Sequence, residues 1–392
     1  MNKLENDNIM LVTYHPLNDL NGGTVMYKTL IENFPSKNLF WIGTGAFLQK
    51  TPEFIKQNCK DSLIVRSFIF SKNWIRVFSR FPFNIINTLF IYFFYAPRAT
   101  IIVLYNIKKN NIKHVWFESF RQTYLIAYFL LKFTNVKVHL SFNDHYSAHC
   151  RWPETKILKK LCQKIVSSQK TSFDFISRGM LDYFIEHYNF ISSKFIFLWV
   201  GNSDEVVKKA EINQVVKKII FYGSIHGLDV FYSFCEFIAS QENNIVLDIY
   251  SGFDYSFISN RYKNVNFCGQ LSQKELGKKI LDYDLAYVPI YFDEKNKTVM
   301  QTSLSSKMIL AINSGIPIFS HAPSNSANSI FISEFNLGFL CPSLQLEKIA
   351  STMGLANNFD NRLNVIKAAK QFSDSNNNNA KKALELYNII LL

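Results

Sequence analysis

Short apolar runs and longer amphipathic stretches alternate along the whole chain. The first set of runs is Asn8–Tyr14, Leu39–Ile42, Leu63–Phe68, Lys113–Phe117, Val136–Phe142, Phe173–Ile176 and Phe195–Val200. Continuous apolar runs of this length suit strands buried on both faces. A polar, charged connection at Gly201–Val215 interrupts the pattern. It then restarts with Lys218–Tyr222, Ile245–Tyr250, Val265–Phe267, Leu285–Val288, Pro317–Phe319 and Gly338–Leu340. Between most runs the apolar positions fall at helical spacing, as in Thr24–Asn33, Met308–Asn313 and Ala380–Leu391. Strand–helix alternation on this scale predicts parallel sheets with helices on both faces. The expected fold is therefore α/β, two Rossmann-like domains facing across a cleft. Residues 1–200 form the first domain and 201–373 the second. Residues 374–392 are expected to be a C-terminal helix returning to the first, entered through the Asn-rich stretch Asp374–Asn379. In open α/β sheets ligands collect at the carboxyl ends of the strands, so the loops there are where chemistry is sought.

Composition narrows the class. At 392 residues and 48% hydrophobic the chain can fill two cores. The six cysteines are scattered and suggest neither a disulfide framework nor a zinc ribbon. Met1–Asn8 is polar and does not read as a secretory signal, so a cytoplasmic location is expected. The net charge of +13 is carried entirely by the first half: residues 1–199 hold 25 Lys and Arg against 12 Asp and Glu, and residues 200–392 hold 18 of each. A basic half can meet nucleic acid, an anionic membrane surface or a phosphorylated acceptor. No nucleic-acid-binding motif is present, which disfavours the first. Phe68–Tyr105 interleaves aromatic residues with Lys72, Arg76, Arg80 and Arg98, the composition of an interfacial segment, although core helices of a Phe-rich protein read similarly. Its longest apolar run, Leu89–Ala96, falls short of the roughly 20 residues of a spanning helix. Pro97-Arg98 is expected to stop it, which favours surface contact over a span.

Several loops carry residue types suited to anion or hydroxyl recognition. Gly22-Gly23 precedes a helix and lets backbone approach an anion closely, or is a plain turn. Asn143-Asp144-His145 follows the run Val136–Phe142; Asp144 or His145 can bind hydroxyls or take a proton, and Asp144 can equally cap a helix. His145, His149 and Cys150 have ligand spacing but lack a fourth ligand, so no metal site is read. Gly223-Ser224, Ser251-Gly252 and Cys268-Gly269 follow strands of the second half. The densest signal is Ser305-Ser306-Lys307, a helix-like run, then Ser314-Gly315-Ile316-Pro317. A helix start with a lysine beside it suits a diphosphate, and a solvated first-turn lysine is the plain alternative.

In their order along the chain these loops resemble those of the GT-B glycosyltransferases, in particular the large retaining family that builds bacterial surface polysaccharides (group 1 glycosyltransferases). Ser177-Arg178-Gly179-Met180 resembles that family's Ser-x-x-Met element, and Gly223-Ser224 stands at its phosphate-loop position. The resemblance implies a nucleotide-sugar donor bound through Gly22, Gly23, Gly223, Ser224, Ser251, Gly269, Ser305, Ser306 and Lys307. It implies a polysaccharide or lipid-linked acceptor on the basic first domain, peripheral contact with the inner face of the membrane, and no metal or other cofactor. Lys307 would stabilise the departing diphosphate, and Asp144 or His145 would serve as base if the enzyme inverted. The chain departs from the family where it commonly has His (here Asn143), basic residues after the phosphate loop (here Ile225-His226), and two glutamates of the donor segment (here Thr302 and Leu310). These departures keep two other readings open: a degenerate subunit binding a glycan or membrane partner, and a sugar-nucleotide epimerase of the same fold.

Overall fold

The computed structural model describes residues 7–15, 17, 22–45, 48, 50–65, 83–148, 150, 152–190, 192–198, 212–241, 245–376 and 378–392. The chain divides into two compact units, Met1–Val200 with Asn379–Leu392, and Gly201–Asn378.

The first unit is built on a parallel sheet of seven strands: β1 (Ile9–Thr13), β2 (Leu39–Gly43), β3 (Asp61–Ile64), β4 (His114–Glu118), β5 (Lys137–Phe142), β6 (Thr171–Phe175) and β7 (Phe195–Phe197). Their spatial order is β3-β2-β1-β4-β5-β6-β7. The order reverses between β1 and β4, which pair in parallel from Ile9↔His114 to Val12↔Phe117. The second unit holds six parallel strands: β8 (Lys218–Tyr222), β9 (Val246–Tyr250), β10 (Val265–Phe267), β11 (Leu285–Pro289), β12 (Ile318–His321) and β13 (Gly338–Cys341). Their order is β10-β9-β8-β11-β12-β13, with the switch between β8 and β11. Each unit is thus a Rossmann-like α/β layer, as the apolar runs predict. Central strands such as β1, β4 and β11 are buried at every position, which is why they read as unbroken hydrophobic stretches.

Helices cover both faces of the first sheet. On one face lie α1 (Gly22–Glu32) and the last helix, whose Ala383, Leu386 and Tyr387 pack with Tyr27 and Trp116. The last helix is also tied to the sheet by the His114 imidazole against the Ile390 carbonyl, 3.0 Å. The other face carries α2 (Phe83–Phe90), α3 (Ala96–Lys109), α4 (Thr123–Phe133) and α5 (Glu154–Val166) around a larger core.

One sequence expectation is corrected here. Pro97 does not end its helix: α2 passes through a π turn, Ile91–Tyr95, directly into α3. The Ala96 N–H reaches back to the Ile91 carbonyl, so the ladder shifts by one residue just before the proline. Pro97 then falls in the first turn of α3, where a missing N–H matters least. The continuous stretch Thr88–Lys109 is long and apolar enough to cross a membrane by length and composition, and 39% of its apolar window is buried in the protein. The part of the basic aromatic segment from Phe68 to Pro82 lies outside the described residues, as does most of the connection Gly201–Val215.

Candidate functional site

In the second unit the carboxyl end of β8 meets the residue that opens α6 (Lys307–Asn313). Gly223, the residue after β8, has φ +87°, a conformation that side chains other than glycine's rarely adopt. A Cβ there would lie 3.2 Å from Lys307 Cε and 3.8 Å from its Nζ, so the lysine stem runs across the glycine. The ammonium sits 5.8 Å from the centre of the Phe221 ring. The Tyr222 hydroxyl donates to the Lys307 carbonyl and pins the backbone. Among the described residues Lys307 has no carboxylate ion-pair partner, and burial draws its pKa from 10.5 to about 8. A half-buried cation with no carboxylate partner among the described residues, beside a left-handed glycine loop, is suited to meeting an anion.

The serines beside it behave differently from the expectation. The Ser305 N–H is already committed to the Asn328 side-chain oxygen at 2.9 Å, and Ser306 makes no side-chain cap. α6 is only seven residues long, so the lysine, not the helix end, supplies the positive charge. Buried nearby without hydrogen-bond partners are Ser303 Oγ and Asn328 Nδ2. Ser251 after β9 is tied by its N–H to the Gly269 carbonyl at 2.8 Å, and its hydroxyl accepts the Phe253 N–H at 3.0 Å. Gly269 has φ +77° and open space where a Cβ would point. Ser224 is half-buried in the loop between Gly223 and Gly227. Thr302 and Leu310 are both buried.

In the first unit the carboxyl ends of β1, β4 and β5 gather a polar cluster. Glu118, the last residue of β4, accepts the N–H groups of Tyr14 at 2.7 Å and His15 at 3.0 Å and holds the His15 ring nitrogen at 2.5 Å. Burial lowers the His15 pKa, but the Glu118 hydrogen bond and charge, with Asp144 adding to them, raise it above its usual value. Phe120 packs against the imidazole with centroids 4.4 Å apart. Asp144 thus lies within electrostatic reach of His15. His145 does not join it, and this corrects the expected role: the ring is 2% exposed and hydrogen-bonds Ser147 at 2.7 Å and Tyr188 at 3.0 Å. Desolvation lowers its pKa to about 3, with His187 adding to the effect, so it is a neutral core anchor. Gly22 and Gly23 form the first residues of α1. His149 lies outside the described residues.

His15 and Glu118 were not singled out by sequence reasoning. The available signal was position alone, since each stands at or just past the end of a strand flanking the switch between β1 and β4. Arg121 and Glu154, a bidentate pair with both contacts at 2.9 Å, were likewise missed; Tyr92 OH also donates to Glu154 at 3.0 Å.

Neither a protein-family model nor any curated protein matches the chain. Solved structures do. A glycosyltransferase from Rickettsia africae aligns at 16% identity over 98% of this chain and 99% of its own, with a TM-score of 0.60. The Anabaena protein HepE, solved with UDP and glucose, aligns at 8% identity over 98% and 100%, TM-score 0.64. WaaG, a glycosyltransferase of lipopolysaccharide biosynthesis, aligns at 12% identity over 97% and 99%, TM-score 0.61. The fold is GT-B. At these identities the likeness speaks for architecture, and the chemistry of this GT-B chain has to be argued from its own residues.

Proposed function

We propose that this GT-B protein is a glycosyltransferase of the hexosyltransferase type, moving a sugar from a nucleotide-sugar donor to a polysaccharide or lipid-linked acceptor in cell-surface glycan biosynthesis. The observation that carries the proposal is Lys307 lying across Gly223 without a carboxylate partner among the described residues. A donor diphosphate placed there restores the full charge of the ammonium. As the glycosidic bond to the nucleotide breaks, negative charge grows on the leaving phosphate and the lysine stabilises it more than it stabilises the bound donor. HepE, solved with UDP and glucose, and WaaG, of lipopolysaccharide biosynthesis, support the same class of donor and acceptor. On the first unit, Asp144 and the His15–Glu118 pair supply the groups to orient an acceptor hydroxyl. We assign retention of configuration, work at the cytoplasmic face and independence from a metal on the resemblance to the surface-polysaccharide family, with Lys307 acting as the counter-charge.

The test is a thermal-shift screen of the wild type and Lys307→Ala against UDP, GDP, CMP, ADP, dTDP and their sugar conjugates. A rise in Tm with one nucleotide, absent in the variant, supports a donor site and names the base. No rise with any of them in folded protein favours the second reading, a binding subunit that has lost its donor. The specific observations behind that reading are Thr302 and Leu310 at the carboxylate positions and the committed Ser305 N–H.

A further inference from the structure

The titratable groups at the carboxyl ends of β1, β4 and β5 are not equivalent. Both oxygens of Glu118 are engaged: Oε2 accepts the N–H groups of Tyr14 and His15, and Oε1 holds the His15 Nδ1 at 2.5 Å. His145 is turned into the core by Ser147 and Tyr188. His15 differs from both. Its side chain is 33% exposed, and among the described residues only its Nδ1 has a hydrogen-bond partner. Three N–H donors converging on Glu118 suit an ionised carboxylate, which accepts and does not donate. The proton of the contact therefore sits on Nδ1, and the lone pair of the neutral imidazole is fixed on Nε2. Tyr14 and Phe120 set the direction of the ring, both edge-to-face with centroids 5.1 and 4.4 Å away. The pair stands just past the switch between β1 and β4, where an open α/β sheet leaves a crevice for a ligand.

Burial alone lowers the His15 pKa, but the Glu118 hydrogen bond and charge, with Asp144 adding to them, bring it above 6.5. An imidazole tuned in this way takes up a proton near neutral pH, and Glu118 is already in place to compensate the imidazolium. We infer, on the glycosyltransferase reading, that His15 is the catalytic base, accepting at Nε2 the proton of the acceptor hydroxyl, with Glu118 as the positioning residue behind it. In that step the acceptor O–H bond breaks and its proton passes to Nε2. The oxygen forms the new bond to the anomeric carbon of the donor sugar. The bond from that carbon to the diphosphate breaks, and its electron pair leaves with the nucleotide. The imidazolium then returns its proton to water. A hydroxyl activated by a base attacks the face opposite the leaving group and inverts the anomeric carbon. On this point the chain's own residues stand against the retention implied by its resemblance.

The first test needs no turnover. Long-range nitrogen–proton NMR of the full chain, labelled at histidine and assigned with His15→Asn, reads the tautomer. Above the folded pKa the neutral ring is expected to carry its proton on Nδ1, and a proton on Nε2 overturns the inference. Turnover is then followed with the sugar conjugates of UDP, GDP, CMP, ADP and dTDP, with water as the acceptor. Proton NMR reads the anomer of the released sugar before it mutarotates. Inverted sugar is expected, and His15→Asn, checked for an unchanged Tm, should lower kcat about a hundredfold or more with the donor KM unchanged. The wild-type rate should rise as pH passes up through the folded His15 pKa. Glu118→Gln should move that limb to lower pH, with Asp144 and Tyr14, the other titratable groups facing His15, left in place. Retained sugar, or a folded His15→Asn as fast as wild type, overturns the inference and leaves the glycosyltransferase reading standing. Release from none of the conjugates by folded wild type removes that reading and the inference with it.

Discussion

The ammonium of Lys307 makes the strongest test of the donor site. Its pKa, 10.5 in an exposed lysine, is about 8 in the folded protein because burial disfavours the charged form. Keeping that charge in place without an anion therefore costs about 3 kcal/mol. The sign follows from proton counts. Below pH 8 both folded and unfolded chains carry the proton, and the folded state bears the full cost. Between pH 8 and 10.5 the unfolded chain holds more protons, so the ligand-free protein gains stability as pH rises through that window. Lys307→Met keeps the apolar stem and removes the charge. The variant should be more stable than wild type at pH 7, with the difference shrinking toward pH 10.5. A nucleoside diphosphate beside Nζ reverses the logic, because it favours the charged form and draws the pKa back up. Calorimetry at pH 8 in buffers of different ionisation enthalpy should then record uptake of about half a proton per UDP bound. The affinity should fall as pH rises above 8. Identical pH dependence of Tm in wild type and Lys307→Met, or nucleotide binding without proton uptake, would refute a charged lysine facing the phosphates.

Three further outcomes follow from the same geometry. Gly223→Ala should cost about 1–2 kcal/mol for a left-handed conformation in a residue with a side chain. Its Cβ also displaces the lysine stem, so the nucleotide-dependent Tm rise should vanish while the far-UV circular dichroism is unchanged; a retained rise refutes the close approach. Glu118→Gln should lower the His15 pKa, read by NMR titration of the imidazole protons. Because the folded value is raised, the pair's stabilisation is full below the ordinary value near 6.5 and is lost as pH rises through the folded pKa; an unmoved titration shows that the two do not interact. Deleting residues 379–392 strips Ala383, Leu386, Tyr387, Ile389 and Ile390 from the first sheet. The lost burial, on the order of 8 kcal/mol, rivals a domain's whole stability. Limited proteolysis should then digest the first unit and spare the second, and equal resistance of both units contradicts the assignment of that helix.

Much of this architecture was legible in the order of the residues. Parallel strands buried on both faces have to be apolar along their length, so β1, β4, β8 and β11 announce themselves as runs, and the intervening helical spacing forces parallel crossovers. Lys307 was a candidate from the sequence too, as the charged residue that precedes an apolar run and Gly315-Ile316-Pro317. The Glu118–His15 pair was not, because the two residues are 103 positions apart and meet only when β1 and β4 become neighbours in the sheet. His145 looked like a base because sequence shows residue type and not direction; packing against Tyr146, Tyr183 and Tyr188 turned it inward. Pro97 looked like a stop signal, and only the backbone could show a π turn absorbing it and aiming two phenylalanines outward. Sequence alone determined the elements, their order and the excess of positive charge, because those depend on local periodicity and composition. Tertiary structure decided which side chains meet, which face outward and which charges stand unpaired, because those depend on contacts between residues far apart in the chain.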